Sequence, residues 1–437
     1  MMLRTGGLVV LCCGFACFGL AVHAQSPLPV GVPPLSLPGL SASPTPPSLP
    51  GSLLPVDARQ PVGNVRATPA TAAWARQLEQ DPRALSPLAN QVLQASRRGC
   101  DWLVRANTTK GIFTSGIDPA TATEPPATPM GQVKAAWSLA RASAAFGDER
   151  YEMRALQALL ACLEETLEEA GDPQARHTAA PSVVISRPAG TACLLAAICA
   201  LEKPPAELLD KADQLARYLS KPAVLAAMAA ASKAEPSTPF LAAHALLSSN
   251  RHRPASWKLD AARAAVGVQV PAEQQAGAAA WMLMATSDLA KHDSAASQRV
   301  GSLAQSMISR QMDKVDARHP GWFGGWSSGR TLANGELEAP TCVASAEAIW
   351  ALAEAATVAR QEGDLNLHQK LKDGMDRGSQ FLLQLQLTDA NTQHFAEWFR
   401  PKLAGGFRPG PGSTTLTLDQ NHAALAALLG CAREGAH

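Results

Sequence analysis

The sequence predicts an all-helical protein whose folded part is a ring of six helical hairpins, an (α/α)6 toroid. Three observations predict it. The chain is rich in alanine, the strongest helix former, and has few runs of β-branched residues. Apolar residues recur at three- and four-residue steps in twelve segments. The links between those segments alternate between short and long, which is typical of antiparallel hairpins that place their long loops on one face.

Residues 1–24 have the layout of a secretory signal peptide, with Arg4, an apolar stretch and a small-residue cleavage site at 22–24. We therefore expect an exported protein, either periplasmic or extracellular. A lipid on Cys17 is the alternative, although the aliphatic residue usual three places before such a cysteine is missing. No later segment has the length and apolar composition of a membrane span.

Residues 25–70 are dominated by proline, serine, leucine and glycine. Because proline blocks both helices and central strands, this composition predicts a disordered linker. The toroid domain is then expected to occupy residues 71–437. The formal net charge of +1 and the charged fraction of 17% give no support to a nucleic-acid partner. Six cysteines follow the leader without a CxxC spacing, and we expect buried thiols with at most one disulfide.

Proline, glycine and aspartate mark where the expected helices begin and end. The twelve helices are predicted at residues 87–106, 129–146, 149–170, 189–202, 206–219, 237–249, 255–266, 275–290, 293–314, 341–361, 366–387 and 419–433, with a short extra helix at 222–233. The even-numbered helices are poor in charge, so we expect them to form the inner ring, and the odd-numbered ones carry a charged outer face. Trp137, Trp281 and Trp350 are expected to pack against inner-ring alanines, and His244 to be a core histidine.

The long links are expected at residues 107–128, 171–188, 315–340 and 388–418. A motif recurs at three places where an outer helix leads into such a link. An asparagine or glutamine closes the helix, and a glycine–aromatic step follows it. The three copies are Asn107 with Gly111-Ile112-Phe113, Gln311 with Gly324-Gly325-Trp326, and Gln386 with Gly405-Gly406-Phe407.

This motif resembles the repeat of squalene cyclases and of protein prenyltransferase β subunits, which belong to the terpenoid cyclase-like superfamily. The resemblance is strongest over the last third of the chain, and it implies an α/α toroid with a cavity at the long-loop end. By the same resemblance, His422, three residues after Asp419, matches a zinc-binding histidine, and Cys342 matches a zinc-binding cysteine. Pro340 stands where that family has a further zinc-binding aspartate. The resemblance thus implies a zinc site that lacks one ligand, and no other cofactor is expected.

Two of the long links carry candidate ligand-binding residues. Indole faces beside a guanidinium and carboxylates suit a sugar ring, through stacking and directional hydrogen bonds. The candidate substrate-binding residues are Trp322, Trp326, Arg330, Trp398 and Arg408. In the alternative interpretation the tryptophans plug the mouth of the ring and the charged side chains are solvated.

Four residues are candidates for acid–base chemistry. Glu338 or Glu336 is the expected acid, and His422 is the expected base or positioning group because histidine titrates near neutral pH. Asp419 shares a helix face with His422. The alternative is that Asp419 only stabilises the helix N-terminus, since Thr417 and Gln420 match a capping box.

Three functions remain open at this point. The main hypothesis is an exported toroid, related by resemblance to the terpenoid cyclase and prenyltransferase repeat, that binds a small-molecule or glycan ligand at its long-loop face, with no assigned activity. One alternative is a secreted glycan-active hydrolase or lyase, and the other is a non-catalytic scaffold of the cell envelope. The chain has no GxGxxG loop, Walker motif, GxSxG elbow or HExxH motif, so the sequence gives no support to those chemistries.

Overall fold

The computed structural model describes Trp74, Ala75, Leu78 and residues 85–179, 186–328, 330–333 and 335–435. The predicted signal peptide, Cys17 and the predicted linker lie outside the described residues. In chain order, the helices are α1 Pro87–Ala106, α2 Pro129–Phe146, α3 Glu149–Glu164, α4 Arg187–Ile198, α5 Ala206–Leu219, α6 Pro222–Ala231, α7 Thr238–His252, α8 Ser256–Val266, α9 Gln275–Ala290, α10 Ser294–Ile308, α11 Cys342–Gln361, α12 Leu365–Leu385, α13 Arg400–Leu403 and α14 Leu418–Gly435. Single 3-10 turns occur at Ala272–Gln274 and Pro320–Trp322.

The helices form a closed double ring. The inner helices α2, α4, α7, α9, α11 and α14 each contact the next one, and α14 returns to α2. Each inner helix also packs against one outer helix, in the pairs α2/α3, α4/α5, α7/α8, α9/α10, α11/α12 and α14/α1. The first helix of the ring therefore pairs with the last, which closes it. The predicted (α/α)6 toroid is confirmed, with inner and outer helices assigned as expected.

The distribution of charged residues on a helix explains whether that helix lies in the inner or the outer ring. Ten consecutive residues of α4, 189–198, are buried, as expected for a helix covered on both sides. In α1, by contrast, the buried residues lie on one side and charged residues on the other. Within the described residues, α11 alone is long and apolar enough to cross a membrane, but 78% of the apolar stretch is buried inside the ring.

The segment after α3 departs from the sequence prediction. The helix predicted at 149–170 ends at Glu164, and a β-hairpin follows it, with β2 at Thr166–Glu169 and β3 at Asp172–Thr178. The strands pair antiparallel, with Thr166 opposite Thr178, and β3 packs on α5 and α4. Tertiary pairing thus overrides the local helix propensity of a leucine- and glutamate-rich segment. The link predicted at 171–188 consequently contains a strand.

The recurring helix-to-loop motif has the same structure in all three copies. Asn107, Gln311 and Gln386 form isolated antiparallel bridges with Phe113, Trp326 and Phe407, respectively. Each aromatic ring is at most 3% exposed. The glycine two residues before each aromatic has a positive φ, of 77°, 83° and 97° at Gly111, Gly324 and Gly405. The motif is therefore a structural unit that fastens the end of an outer helix to the start of its long link.

We expect Gly405→Ala to lower the free energy of unfolding by roughly 3 kcal/mol, because the left-handed backbone strains any L side chain. A Cβ at this position would also lie 2.3 Å from the carbonyl oxygen of Arg98. Gly363→Ala is the matched control, since Gly363 has a φ of 76° but nothing within 4 Å of a Cβ; it should cost only about 1 kcal/mol. Urea unfolding of both variants measures the difference, and equal losses would show that the close approach to Arg98 is unimportant.

Two further strands bring the long links together. Strand β1, Gly116–Ile117, pairs antiparallel with β4, Leu416–Thr417. These strands belong to the links that precede α2 and α14. The link before α11 contacts the link before α14, because the backbone N–H of Cys342, where the link before α11 ends, donates to the carbonyl of Pro409 at 2.7 Å. The long links before α2, α11 and α14 thus meet on one face of the ring, at the N-terminal ends of the inner helices.

Candidate functional site

A cavity of about 400 Å³ opens at the long-link face, and we call it the long-link cavity. All six inner helices contribute side chains to its wall, from their N-terminal halves. The residues that matter for its chemistry are Lys134, Cys193, Glu347, Asp419 and His422, with Trp137, Trp281 and Trp350 as aromatic walls. Because the N-terminal ends of helices carry partial positive charge, their convergence favours polar or anionic groups of a ligand.

A cluster of aromatic side chains closes the inner end of this cavity. Trp350 lies with its ring centroid 5.4 Å from that of Trp137 and 5.6 Å from that of Trp281. His422 packs 5.0 Å from Trp137, and His244 packs 5.6 Å from Trp350. These five rings, the aromatic partition, fill the middle of the toroid. His244 Nδ1 is 2.6 Å from Asp288 Oδ2, so the expected core histidine is hydrogen-bonded as predicted.

An ion pair lies on one wall of the cavity. Lys134 Nζ donates to Asp419 Oδ1 at 2.7 Å, and the Thr128 hydroxyl donates to Asp419 Oδ2 at 3.0 Å. Burial opposes the charge on Lys134, but Asp419 outweighs it and holds the pKa of Lys134 above its ordinary value. Burial likewise disfavours the Asp419 carboxylate, yet Lys134 and Thr128 lower the pKa of Asp419 below its ordinary value. Asp419 is therefore a stable carboxylate in this site.

A second carboxyl group lines the same cavity, in surroundings that shift its pKa in the opposite direction. Glu347 is on α11, between Val343 and Trp350 on the wall. Burial raises the pKa of Glu347 above its ordinary value, against the opposing effects of Lys134 and of a hydrogen bond from Trp281. Glu347 thus holds a proton more readily than an exposed glutamate. Two carboxyl groups whose surroundings push their pKa values apart are the arrangement that acid–base chemistry requires.

The predicted residue His422 also lines the long-link cavity, where it is 4% exposed. Its Nδ1 lies 2.9 Å from the Ser138 hydroxyl. Burial, with Lys134 and Arg141 nearby, lowers the pKa of His422 to about 3. The imidazole is consequently neutral at neutral pH, and it can hydrogen-bond to a ligand without carrying charge. Burial also raises the pKa of the Cys193 thiol to about 12, so that side chain stays protonated.

We expect His422 to make stability depend on pH between 6.5 and about 3. In that window the unfolded chain binds a proton at His422 and the folded chain does not, so acidification favours unfolding. From pH 7 to pH 5 this group should remove about 2 kcal/mol from the free energy of unfolding. Urea titrations at both pH values should show a shallower loss for His422→Gln than for wild type. His292→Gln, at an exposed position, should keep the wild-type slope; an equal slope in all three proteins contradicts the assignment.

The loop tryptophans and Glu338 are not among the residues of the long-link cavity. Trp326 is 1% exposed, and its indole N–H donates to the carbonyl of Met307 at 2.9 Å, because the ring packs between helices as part of the recurring motif. Trp322 stacks on His319 with 4.0 Å between centroids. Glu338 accepts from the Ser328 hydroxyl at 2.5 Å within its own loop. The structure therefore does not bring these residues together with His422.

The other predicted binding residues also lie outside this cavity. Arg330 is exposed, and its backbone N–H donates to the Ser328 hydroxyl at 3.1 Å. Trp398 is 70% exposed, with Lys402 Nζ 5.7 Å from its ring centroid. Arg408 Nη2 donates to the carbonyl of Gln384 at 2.7 Å, at the end of α12, so this guanidinium caps the helix.

The zinc ligands implied by the resemblance do not form a complete set. Cys342 is buried, its thiol donates to the carbonyl of Gln420 at 3.7 Å, and burial raises its pKa to about 12. His422 already has a ring nitrogen on Ser138. Across the described ranges, no group of three His, Cys, Asp or Glu side chains is placed to hold a metal ion. These residues do not fit a zinc site.

No protein-family model and no curated protein matches the chain. Solved structures do match its fold. An inactive variant of the α-1,6-mannanase GH76A of Salegentibacter sp. HEL1_6, in complex with α-1,6-mannotriose, has 11% identity and a TM-score of 0.52, covering 78% of this chain and 99% of that chain. The glycosyl hydrolase family 88 protein from Bacteroides vulgatus has 10% identity and a TM-score of 0.54, covering 79% and 99%.

The cellobiose 2-epimerase from Bacillus thermoamylovorans B4167 matches similarly, with 11% identity, a TM-score of 0.51 and coverage of 78% of this chain and 98% of that chain. At such low identity these matches establish the fold alone. The chain is similar in architecture to α/α-toroid proteins that carry carbohydrate-active names, and the assignment of its activity must rest on its own cavity.

Proposed function

We propose that the chain is an exported glycan-active hydrolase that binds its substrate in the long-link cavity. The observation that carries the proposal is the pair of carboxyl groups that line the long-link cavity. Glu347 lies where burial favours its protonated form, and Asp419 lies where Lys134 and Thr128 favour its ionised form. Glycoside hydrolysis uses such a pair, one carboxyl group as the acid and one as a carboxylate.

Each residue has a defined part in the proposed reaction. Glu347 gives its proton to the glycosidic oxygen as the bond from that oxygen to the anomeric carbon breaks. Asp419 stabilises the positive charge that develops on the sugar ring. A water molecule then supplies a hydroxyl group to the anomeric carbon, and the proton it releases restores the carboxyl group of Glu347. The tryptophan rings of the aromatic partition offer apolar faces to the sugar.

The fold supports a glycan as the substrate class. The mannanase of similar fold is bound to α-1,6-mannotriose, and a second structure of it contains α-1,6-mannotetrose. The size of the cavity is compatible as well, because its volume of about 400 Å³ falls within the usual range for small-ligand sites, roughly 300–1,000 Å³. The wall itself offers both charged and aromatic contacts.

Incubation of the purified protein with a panel of glycans, including α-1,6-mannotriose, α-1,6-mannotetrose and cellobiose, tests the proposal. Reactions run in ¹⁸O-labelled water should give products that carry one label at the new reducing end, detected by mass spectrometry. Unlabelled unsaturated products would instead assign a lyase. Binding of glycans without turnover would favour the non-catalytic scaffold, and both results would overturn the hydrolase proposal.

A further inference from the structure

A second cavity lies on the opposite side of the aromatic partition, at the C-terminal ends of the inner helices. Its volume is about 260 Å³, and we call it the short-link cavity. Trp137 and Trp350 line both cavities, so the partition separates the two. Trp74, which precedes the ring in sequence, also lines the short-link cavity and is half-buried there. Neither Glu347 nor Asp419, the two carboxyl groups assigned to the proposed hydrolysis, lines this second space.

Charged side chains dominate the wall of the short-link cavity. Four are cationic and two are carboxylates, and they are Arg141, Arg251, Lys291, Arg433, Asp288 and Glu354. The carboxylates are already engaged. Asp288 accepts from Lys291 at 2.8 Å and pairs with His244, while Glu354 accepts from Arg433 Nη2 at 3.2 Å. Arg433 Nε also lies 3.9 Å from Glu434 Oε1, and Glu434 is not one of the residues that line the cavity.

Neither of the two remaining arginines forms a close ion pair among the described residues, although Glu354 and Asp288 act on Arg141 at longer range. Arg141 lies with its guanidinium carbon 4.3 Å from the ring centroid of Trp350. Within the described residues its side chain makes one hydrogen bond, a long one of 3.4 Å to the carbonyl of Ala426. Arg251 Nη2 donates to the Ser248 hydroxyl at 3.0 Å. A guanidinium has five donors. Arg251 is exposed, so its other donors face solvent, whereas the half-buried Arg141 leaves most of its donors without a partner among the described residues.

Two further observations indicate that buried polar groups beside this cavity are not fully compensated. The C-terminal ends of helices favour cations. Burial nevertheless lowers the pKa of Arg141 to about 10, which shows that the two carboxylates do not fully compensate the cost of burying its charge. In addition, the indole N–H of Trp350 is buried and has no hydrogen-bond partner in the described part of the chain. A buried polar group of this kind costs free energy unless something accepts its hydrogen.

We propose that the short-link cavity binds a small organic anion whose oxygens accept hydrogen bonds from Arg141 and Arg251. The planar fork of arginine matches carboxylate and phosphate oxygens, and such charge-assisted bonds are stronger than hydrogen bonds between neutral groups. The volume of about 260 Å³ limits the ligand to a few carbon atoms, since small-ligand sites begin near 300 Å³. The site lies across the partition from the long-link cavity, and its proposed ligand contacts involve neither Glu347 nor Asp419.

Thermal unfolding of the full chain tests this site without an activity assay. Inorganic phosphate and succinate should each be compared with sodium chloride at equal ionic strength. We expect at least one of the two anions to raise the Tm of wild type by about 2–5 °C. The double variant Arg141→Gln/Arg251→Gln should lose this shift. Arg299→Gln is the matched control, because Arg299 is exposed on an outer helix, and it should keep the shift.

The pattern of shifts identifies the ligand chemistry. A shift with phosphate alone assigns a phosphate ligand, and a shift with succinate alone assigns a carboxylate. The charge-preserving variant Arg141→Lys should also reduce the shift, because lysine lacks the planar fork; this second variant decides the case if the double variant does not fold. Equal Tm values in all three salts, or an undiminished shift in the arginine variants, would overturn the proposal.

Discussion

Glu347→Gln should reduce kcat on the responsive glycan by roughly 10²–10⁴-fold, the usual contribution of a general acid. The amide keeps the shape of the side chain but has no proton of suitable acidity to give to the glycosidic oxygen. Substrate binding should change much less than kcat, because the tryptophan walls and His422 are untouched. Steady-state kinetics on the substrate found in the glycan panel would separate the two effects.

The pH dependence gives this prediction a second readout. Because burial raises the pKa of Glu347, the wild type should retain its acid to a higher pH than an exposed glutamate would, and kcat/KM should fall as pH rises through that pKa. The residual activity of Glu347→Gln should lack this alkaline decline. Glu338→Gln is the matched control, since Glu338 is engaged with Ser328 away from the long-link cavity and should retain wild-type kcat. A large loss in Glu338→Gln with little in Glu347→Gln would reverse the assignment.

The fold could be predicted because local signals agree with the tertiary structure. Helices α1, α2 and α4 begin after Ser86, Thr128 and Ser186, each of which accepts a hydrogen bond from a backbone N–H of the first turn. Proline follows each of these caps within two residues and fixes the start. The β-hairpin after α3 could not be predicted in this way, because its strands are short, charged and stabilised by pairing and by packing on α5.

The candidate site was predicted only in part. His422 was found because the stretch around it resembles the prenyltransferase repeat, and Asp419 because it shares a helix face with His422. Lys134 and Glu347 were missed because each lies within an alanine-rich inner helix, away from any motif. A signal was present nonetheless, because a charged residue in a helix that is buried on both sides needs a partner or a function. The large tryptophans of the loops were predicted as binding residues, but Trp326 has a structural part in the recurring helix-to-loop motif.

Asp419→Asn should lower kcat roughly 10²–10³-fold, since it removes the carboxylate that we assign to charge stabilisation in the transition state. It should also lower the free energy of unfolding by about 1–3 kcal/mol, because the partly buried Lys134 ammonium loses its ionic partner. Lys134→Met should cost a similar amount of stability for the converse reason. Both side chains are only 21–24% exposed, so solvent compensates little for either loss.

The double variant Lys134→Met/Asp419→Asn separates the structural role of this ion pair from its catalytic role. With neither charge left, its loss of stability should be smaller than the sum of the single losses by about 0.5–3 kcal/mol. Activity should nevertheless stay as low as in Asp419→Asn, because restored neutrality does not restore the carboxylate. Lys221 and Asp172 form an ion pair away from the long-link cavity, with 3.0 Å between Nζ and Oδ2. The control variant Lys221→Met/Asp172→Asn, which removes this pair, should leave kcat unchanged. If the Lys134→Met/Asp419→Asn protein regained both stability and turnover, Asp419 would have only a structural role, since the recovered turnover could not depend on its charge.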